Sequence, residues 1–109
     1  MVKGWVPAAG DVIWVDLNPT VGHEQAGKRP ALVLSPSSYN DKTGLLLACA
    51  MTNQNKGYPF EVLMPDGGVI LADQVKCLDW RSRKTEPKGV AQPEVLQRVR
   101  ELLRTLLQL

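Results

Sequence analysis

The residues best equipped for chemistry stand together. His23-Glu24-Gln25-Ala26-Gly27-Lys28-Arg29 places the only histidine, a carboxylate and two cations within seven positions. An imidazole ordinarily titrates near neutrality and so can give or take a proton under mild conditions. A neighbouring carboxylate is a candidate base. An arginine offers a permanently charged planar fork able to hold two phosphate oxygens at once. A second polar cluster, Thr52-Asn53-Gln54-Asn55-Lys56, supplies more donors further along. No glycine-rich loop opens a helix to cradle a triphosphate, and no Gly-x-Ser-x-Gly or Cys-His pairing offers a conventional nucleophile. Such a set suits a substrate that brings its own nucleophile. An RNA 2′-hydroxyl attacking the adjacent phosphate needs a base, charge stabilisation on the phosphoryl oxygens, a proton for the leaving 5′-oxygen and in-line geometry. Arg29 fits the second task, with Thr52 and nearby backbone amides on the same phosphate. The base is either Glu24 or His23. Arg29 is ill suited to donate the proton, because a guanidinium holds its own far above neutral pH. Taken singly, these residues also have ordinary explanations. His23 can be a loop histidine bonded to backbone, Glu24 can pair with Lys28 or Arg29, and Met51 to Pro59 can be a solvated hairpin loop.

The elements that must hold these groups flank them. The run from Gly10 to Pro36 reads as two buried strands joined by the reactive loop. In the first, Val12, Trp14 and Asp16 alternate with Ile13, Val15 and Leu17, ending at Asn18-Pro19. The second, Ala31-Leu32-Val33-Leu34, is uniformly apolar between Pro30 and Pro36, as expected of a strand covered on both faces. Ser35 to Asp41 has turn chemistry throughout, and Thr43-Gly44 marks a turn rather than a helix cap. Leu45 to Met51 predicts a buried strand, Phe60 to Leu63 a half-buried one, and Pro65-Asp66-Gly67-Gly68 a turn. Val69 to Val75 and Lys76 to Trp80 form one bent strand or two short ones, with Asp73-Gln74 as a polar interruption. Arg81-Ser82-Arg83-Lys84 is a basic cluster of the kind found in solvated turns. From Pro93 on, Val95, Val99, Leu102, Leu106 and Leu109 recur at helical steps, widened by Leu96, Leu103 and Leu107. This predicts a core-packed helix of about four turns, with Pro93 and Glu94 suited to its start and Arg104 to its end. Five or six short strands and one C-terminal helix imply a small, strongly curved antiparallel sheet of barrel type, capped by the helix.

A chain of 109 residues is expected to be one domain, 1–109, near the lower limit for a self-sufficient core, so it can lean on a partner subunit. The net charge of +2 does not by itself separate a nucleic-acid binder from a neutral enzyme. Cys49 and Cys77 lie in apolar segments without Cys-x-x-Cys spacing and are expected as buried, reduced thiols. One histidine and two scattered cysteines leave no clear zinc site, and no cofactor is expected. Without a signal-like start or a membrane-length apolar run, a cytoplasmic protein is expected, with Trp5 covering a core edge.

The residues D-L-N-P-T-V-G-H-E-Q-A-G-K-R-P from Asp16, the following V-L-S-P, then M-T-N-Q-N-K-G-Y-P-F and L-A-D-Q-V-K, strongly resemble the MazF/PemK family of bacterial toxin endoribonucleases. The similarity runs essentially end to end. It implies an SH3-like, plasmid-maintenance-toxin (CcdB/PemK-type) fold and a homodimer whose interface forms an RNA groove. It further implies metal-independent cleavage of single-stranded RNA at short sequences, leaving a 2′,3′-cyclic phosphate and a 5′-hydroxyl. A cognate antitoxin with a disordered acidic tail would block the groove. The family's catalytic arginine, threonine and glutamate fall on Arg29, Thr52 and Glu24, and the histidine of its PemK/Kid branch on His23. The Kid-type catalytic aspartate is left unplaced, since the Gln74 to Asp79 region follows the MazF pattern. Gln25, Lys28, Asn53, Gln54, Lys56, Gln74 and Lys76 are the implied RNA contacts, and Lys28, Arg29, Lys56, Lys76 and Arg81 to Lys84 together would track a phosphate backbone. Trp14, Tyr58 and Trp80 are candidate stacking platforms, with core packing the better reading of Trp14. The competing classes are a non-enzymatic toxin of this fold that inhibits a protein such as DNA gyrase, and a nucleic-acid-binding regulator that has lost catalysis. A phosphate fork beside a carboxylate argues against a pure binder.

Overall fold

Alternation and β-branched content place the first strand where the sequence puts it. The computed structural model describes residues 4–19 and 21–109; in it β1 spans Asp11–Asp16 and β2 spans Lys28–Val33. Then follow α1 (Ser37–Thr43), β3 (Leu45–Thr52), β4 (Glu61–Leu63), β5 (Val69–Asp79), β6 (Glu86–Val90) and α2 (Pro93–Leu107). The strands form one antiparallel sheet in the order β4-β5-β3-β2-β1-β6. This is the curled antiparallel sheet with a C-terminal helix that the pattern predicts, open at β4 and β6.

Both faces of the central strands are apolar, so both must be covered. On one face Val12, Leu32, Cys49, Met51, Val62, Ile70 and Ala72 pack beneath Val95, Val99 and Leu102 of α2. On the other, Ile13, Val15, Leu17, Ala31, Val33, Leu46, Ala48, Ala50 and Leu78 meet Trp80, with Trp5 and Val6 against them. No long helix covers this second cluster; the curl of the strands and the N-terminal segment enclose it. Trp5 does cover a core edge, meeting Trp80 edge-on at 6.1 Å between ring centroids. None of the described helices is long and apolar enough to cross a membrane.

Where the structure departs from the sequence reading, tertiary partners explain the difference. Ser37 to Thr43 is a helix rather than a turn, because Asn40 bonds distant backbone instead of its own. Its buried Nδ2 donates to Pro7 O (2.8 Å) and Ser35 O (3.0 Å), and its Oδ1 accepts from Ser35 Oγ (2.6 Å). Gly44 is the C-cap of that helix after all, at φ +73° with its N–H on Asn40 O, a left-handed turn that glycine makes without strain. Lys28 and Arg29 belong to β2, not to the loop, and Pro30 lies inside the strand, opposite Trp14. The ladder to β3 starts only at Ala31↔Ala50, directly after the proline that lacks an N–H. Glu86 to Val90 forms an additional, wholly exposed edge strand. The Val69 to Trp80 region is one bent strand: Ile70 pairs with Met51 and Val75 with Cys49, so Leu71 to Gln74 bulge opposite Ala50 alone.

Several side chains differ as well. Trp80 is 2% exposed, with its indole N–H on Asn40 O, and so cannot stack on a base. Cys77 is exposed, whereas Cys49 is buried as expected. The apolar stripe of α2 is core only through Leu103; Leu106, Leu107 and Leu109 lie in the open within the single chain.

Candidate active site

The connection from β1 to β2 is bolted at its base. Asn18 Oδ1 accepts the Gly27 N–H (3.0 Å) and Gly27 O accepts the Leu17 N–H (2.9 Å). Arg83, from the basic turn, donates through Nη1 to Asp16 O (2.8 Å) and Asn18 O (2.6 Å). At the tip, Gln74 from the β5 bulge accepts the Gln25 N–H at Oε1 (3.0 Å) and donates from Nε2 to His23 O (3.5 Å). Lys76, two residues on, holds Glu24 Oε2 at 2.6 Å. The Glu24 partner is therefore Lys76, not Lys28 or Arg29. The ammonium's hydrogen bond and charge hold the Glu24 carboxyl below the usual carboxylate range, so it is ionised at neutral pH.

Arg29 stands opposite Val15 on the strand that leaves this loop. Its Nε donates to Ala26 O (3.2 Å), and among the described residues its two terminal amino groups have no partner. Carrying the β2–β3 register two residues past Ala31↔Ala50 sets Arg29 across from Thr52, the last residue of β3. Thr52 is buried and its Oγ1 accepts the Gln54 N–H (3.2 Å), which starts the turn into the polar loop. That loop is braced by Glu61, whose carboxylate accepts the N–H groups of Lys56 (3.1 Å) and Gly57 (2.9 Å).

Two adjoining clefts result, and Thr52 is a wall of both. The first, about 340 Å³, is lined by His23, Gln25, Gln54, Lys56, Tyr58, Asp73 and Gln74 among others. The second, about 470 Å³, is lined by Lys28, Arg29, Asn53 and Trp14, with Lys88 5.4 Å above the Trp14 ring. Glu24 and Lys76 line neither; Glu24 stands between His23 and Gln25 at the loop tip, and Lys76 reaches it from β5. Of the stacking candidates, Tyr58 is 61% exposed with the Lys56 ammonium 6.0 Å from its ring, and Trp14 is half-buried. The predicted residues thus come from three strands and two loops, but Gln74 and Lys76 are engaged with the loop tip.

Asp73, Glu61, Asn18 and Lys88 also shape the site and escape sequence reasoning, while Arg83, expected to track a phosphate backbone, is instead engaged with the Asp16 and Asn18 carbonyls. Asp73 carried a usable signal, as a charge interrupting an apolar run; the others become meaningful only with the pairing of distant segments. Away from the clefts, burial pushes the Cys49 thiol up to about 12, which makes it inert. The Asp79 carboxyl is held low mainly by the Ser82 N–H, which fixes the basic turn. Among the described residues, no three His, Cys, Asp or Glu side chains gather closely enough to hold a metal ion.

Residues 8–107 match the family described as PemK-like, MazF-like toxin of type II toxin–antitoxin system. The chain is 52% identical over 110 residues to the endoribonuclease toxin MazF of Escherichia coli (strain K12), covering 98% of this chain and 99% of that protein. In structure it is similar to MazF from Deinococcus radiodurans, with a TM-score of 0.93 at 50% identity over 96% of this chain and 99% of that one. It is likewise similar to a chain of a MazE–MazF complex from the same organism, with a TM-score of 0.87 at 50% identity over 96% and 98% of the two chains.

Proposed function

The chain belongs to the PemK-like, MazF-like toxin family, and from that premise we propose how its site cuts RNA. The protein is an endoribonuclease, the toxin of a toxin–antitoxin system. Arg29 and Thr52 bind the scissile phosphate, the guanidinium through its two unpartnered amino groups and the threonine from the wall shared by the clefts. Glu24, ionised beside Lys76, takes the proton of the 2′-hydroxyl. The 2′-oxygen then bonds to phosphorus, the bond to the 5′-oxygen breaks, and that oxygen takes a proton from the His23 imidazolium. The products are a 2′,3′-cyclic phosphate and a 5′-hydroxyl, and no metal ion takes part. DNA, lacking the nucleophile, is not cut.

Gln25, Gln54 and Lys56 line the first cleft, Lys28 and Asn53 the second, and they contact the strand on either side of the cut. Two such chains form a homodimer with the clefts along one groove, and a cognate antitoxin with a disordered acidic tail fills it. Cleavage of cytoplasmic mRNA stops translation and growth. The single domain, residues 1–109, carries the whole activity.

One observation carries this reading: Thr52 is a wall of both clefts, with the open Arg29 fork on one side and His23 on the other. The test is a long single-stranded RNA incubated with the protein in excess EDTA, beside Arg29→Ala, with fragment ends mapped by mass spectrometry. Cyclic-phosphate ends at one repeated short sequence, absent with the variant, support the mechanism. Intact RNA with folded wild-type protein would instead favour inhibition of a protein target.

A further inference from the structure

We propose that Gln74 and Lys76 are positioning residues for Glu24 rather than RNA contacts, an inference that rests on Glu24 being the base. The geometry is a three-point grip. The Gln74 amide brackets Glu24, accepting the N–H of the residue after it (Gln25, 3.0 Å) and donating to the carbonyl of the residue before it (His23, 3.5 Å). The Lys76 ammonium fixes the carboxylate between those two points at 2.6 Å. Gln74 and Lys76 are two apart on a strand and so share one face, which is the face the loop lies on.

The grip acts on the tip alone. The loop base is held separately, by Asn18, Gly27 and Arg83, so releasing the tip does not undo the loop. Lys76 is also the better sited of the two ions, with its side chain 20% exposed against 46% for Glu24. A solvated glutamate side chain would leave the carboxylate among many rotamers, and an ordered ion pair removes them. Lys76 is the charged group on β5 that faces Glu24. His23 precedes it on the loop, Asp73 on the bulge lines the cleft with His23, and Lys28 and Arg29 lie beyond the loop's other end.

The test compares Lys76→Met, Lys76→Arg, Gln74→Leu and Glu24→Gln. Readouts are kcat and KM on a short RNA against pH, binding of the 2′-deoxy analogue against salt, and a carbon-13 titration of the Glu24 carboxyl. Lys76→Met is expected to lower kcat about tenfold to a hundredfold with little change in KM. It also moves both the Glu24 titration and the acidic limb of kcat to higher pH, and Lys76→Arg restores both. Gln74→Leu lowers kcat with the same preference for cleavage sequence. If Lys76→Met instead leaves kcat and the acidic limb in place while weakening binding and reducing the salt slope by about one, Lys76 is a phosphate contact and the inference is overturned. If Gln74→Leu changes which sequences are cut, it reads bases and the bracket is overturned. Full activity in Glu24→Gln overturns the base assignment together with this inference. An inactive Glu24→Gln beside an unaffected Lys76→Met overturns this inference alone.

Discussion

Replacing Arg29 with lysine keeps the charge and removes the fork, and the structure sets how much that should cost. Arg29 is fixed by its place on β2 and by the bond from Nε to Ala26 O, so its two terminal amino groups project as a pair. On a pentacoordinate phosphate they make two charge-assisted hydrogen bonds, where an ammonium on a flexible stem makes one in a fixed place. A hydrogen bond to a charged group contributes about 1.5–3 kcal/mol, and each ~1.4 kcal/mol is tenfold in rate. Arg29→Lys should therefore lower kcat roughly 10- to 150-fold. Charge on the phosphoryl oxygens grows only towards the transition state, so KM should change little. Arg29→Ala loses both bonds and should fall by roughly 10²- to 10⁴-fold. The assay is single-turnover cleavage of a short fluorophore-quencher RNA in EDTA, with folding checked by circular dichroism. A lysine variant with kcat within threefold of wild type, or one defective in KM alone, refutes bidentate transition-state binding.

Two further outcomes test the frame around the site. Asn40→Ala strands the buried carbonyls of Pro7 and Ser35 and the Ser35 hydroxyl, and at about 1–3 kcal/mol for each unsatisfied group it should cost roughly 3 kcal/mol or more. Urea unfolding measures this, and a loss below about 1 kcal/mol would show that water replaces those bonds. The two thiols should separate on reaction with a disulfide reagent at pH 8. Exposed Cys77 reacts at once; Cys49, buried and about four units below a pKa near 12, presents roughly one thiolate in 10⁴ and reacts only after unfolding. Equal rates for both would contradict the burial of Cys49.

What was legible in the sequence follows a physical division between local and distant causes. Val12 to Leu17, Leu45 to Met51 and the Val95 to Leu103 stripe announce themselves, because their apolar residues are mostly those the core takes up, Leu47 being the exposed exception. His23, Glu24, Arg29 and Thr52 could be picked out by type, and they do lie on one loop and two adjoining strand ends. Asn40 and Gly44 misled, since turn-forming residues also build a short helix when a buried amide finds partners 33 positions away. Glu86-Pro87-Lys88-Gly89-Val90 showed no alternation because every residue of that edge is exposed, and an edge tolerates proline. Trp80 looked available for stacking until Trp5 and Asn40 occupied its ring edge and its N–H. The Glu24–Lys76 pair spans 52 positions and has no local signature at all.

The bulge in β5 also separates two phases of the sheet. Before it Val69 and Ile70 keep step with Thr52 and Met51; after it Val75 to Asp79 keep step with Cys49 to Leu45. Leu71 to Gln74 belong to neither ladder with β3, yet three of these four residues line the first cleft. Leu71 still pairs with Glu61 of β4 and Ala72 is fully buried, so the position where a residue can be inserted or deleted outside the ladders and the core is exposed Asp73. The fold thus has a joint of adjustable length at the wall of its cleft, where a lineage can resize what the cleft admits while leaving Arg29 and Thr52 in place.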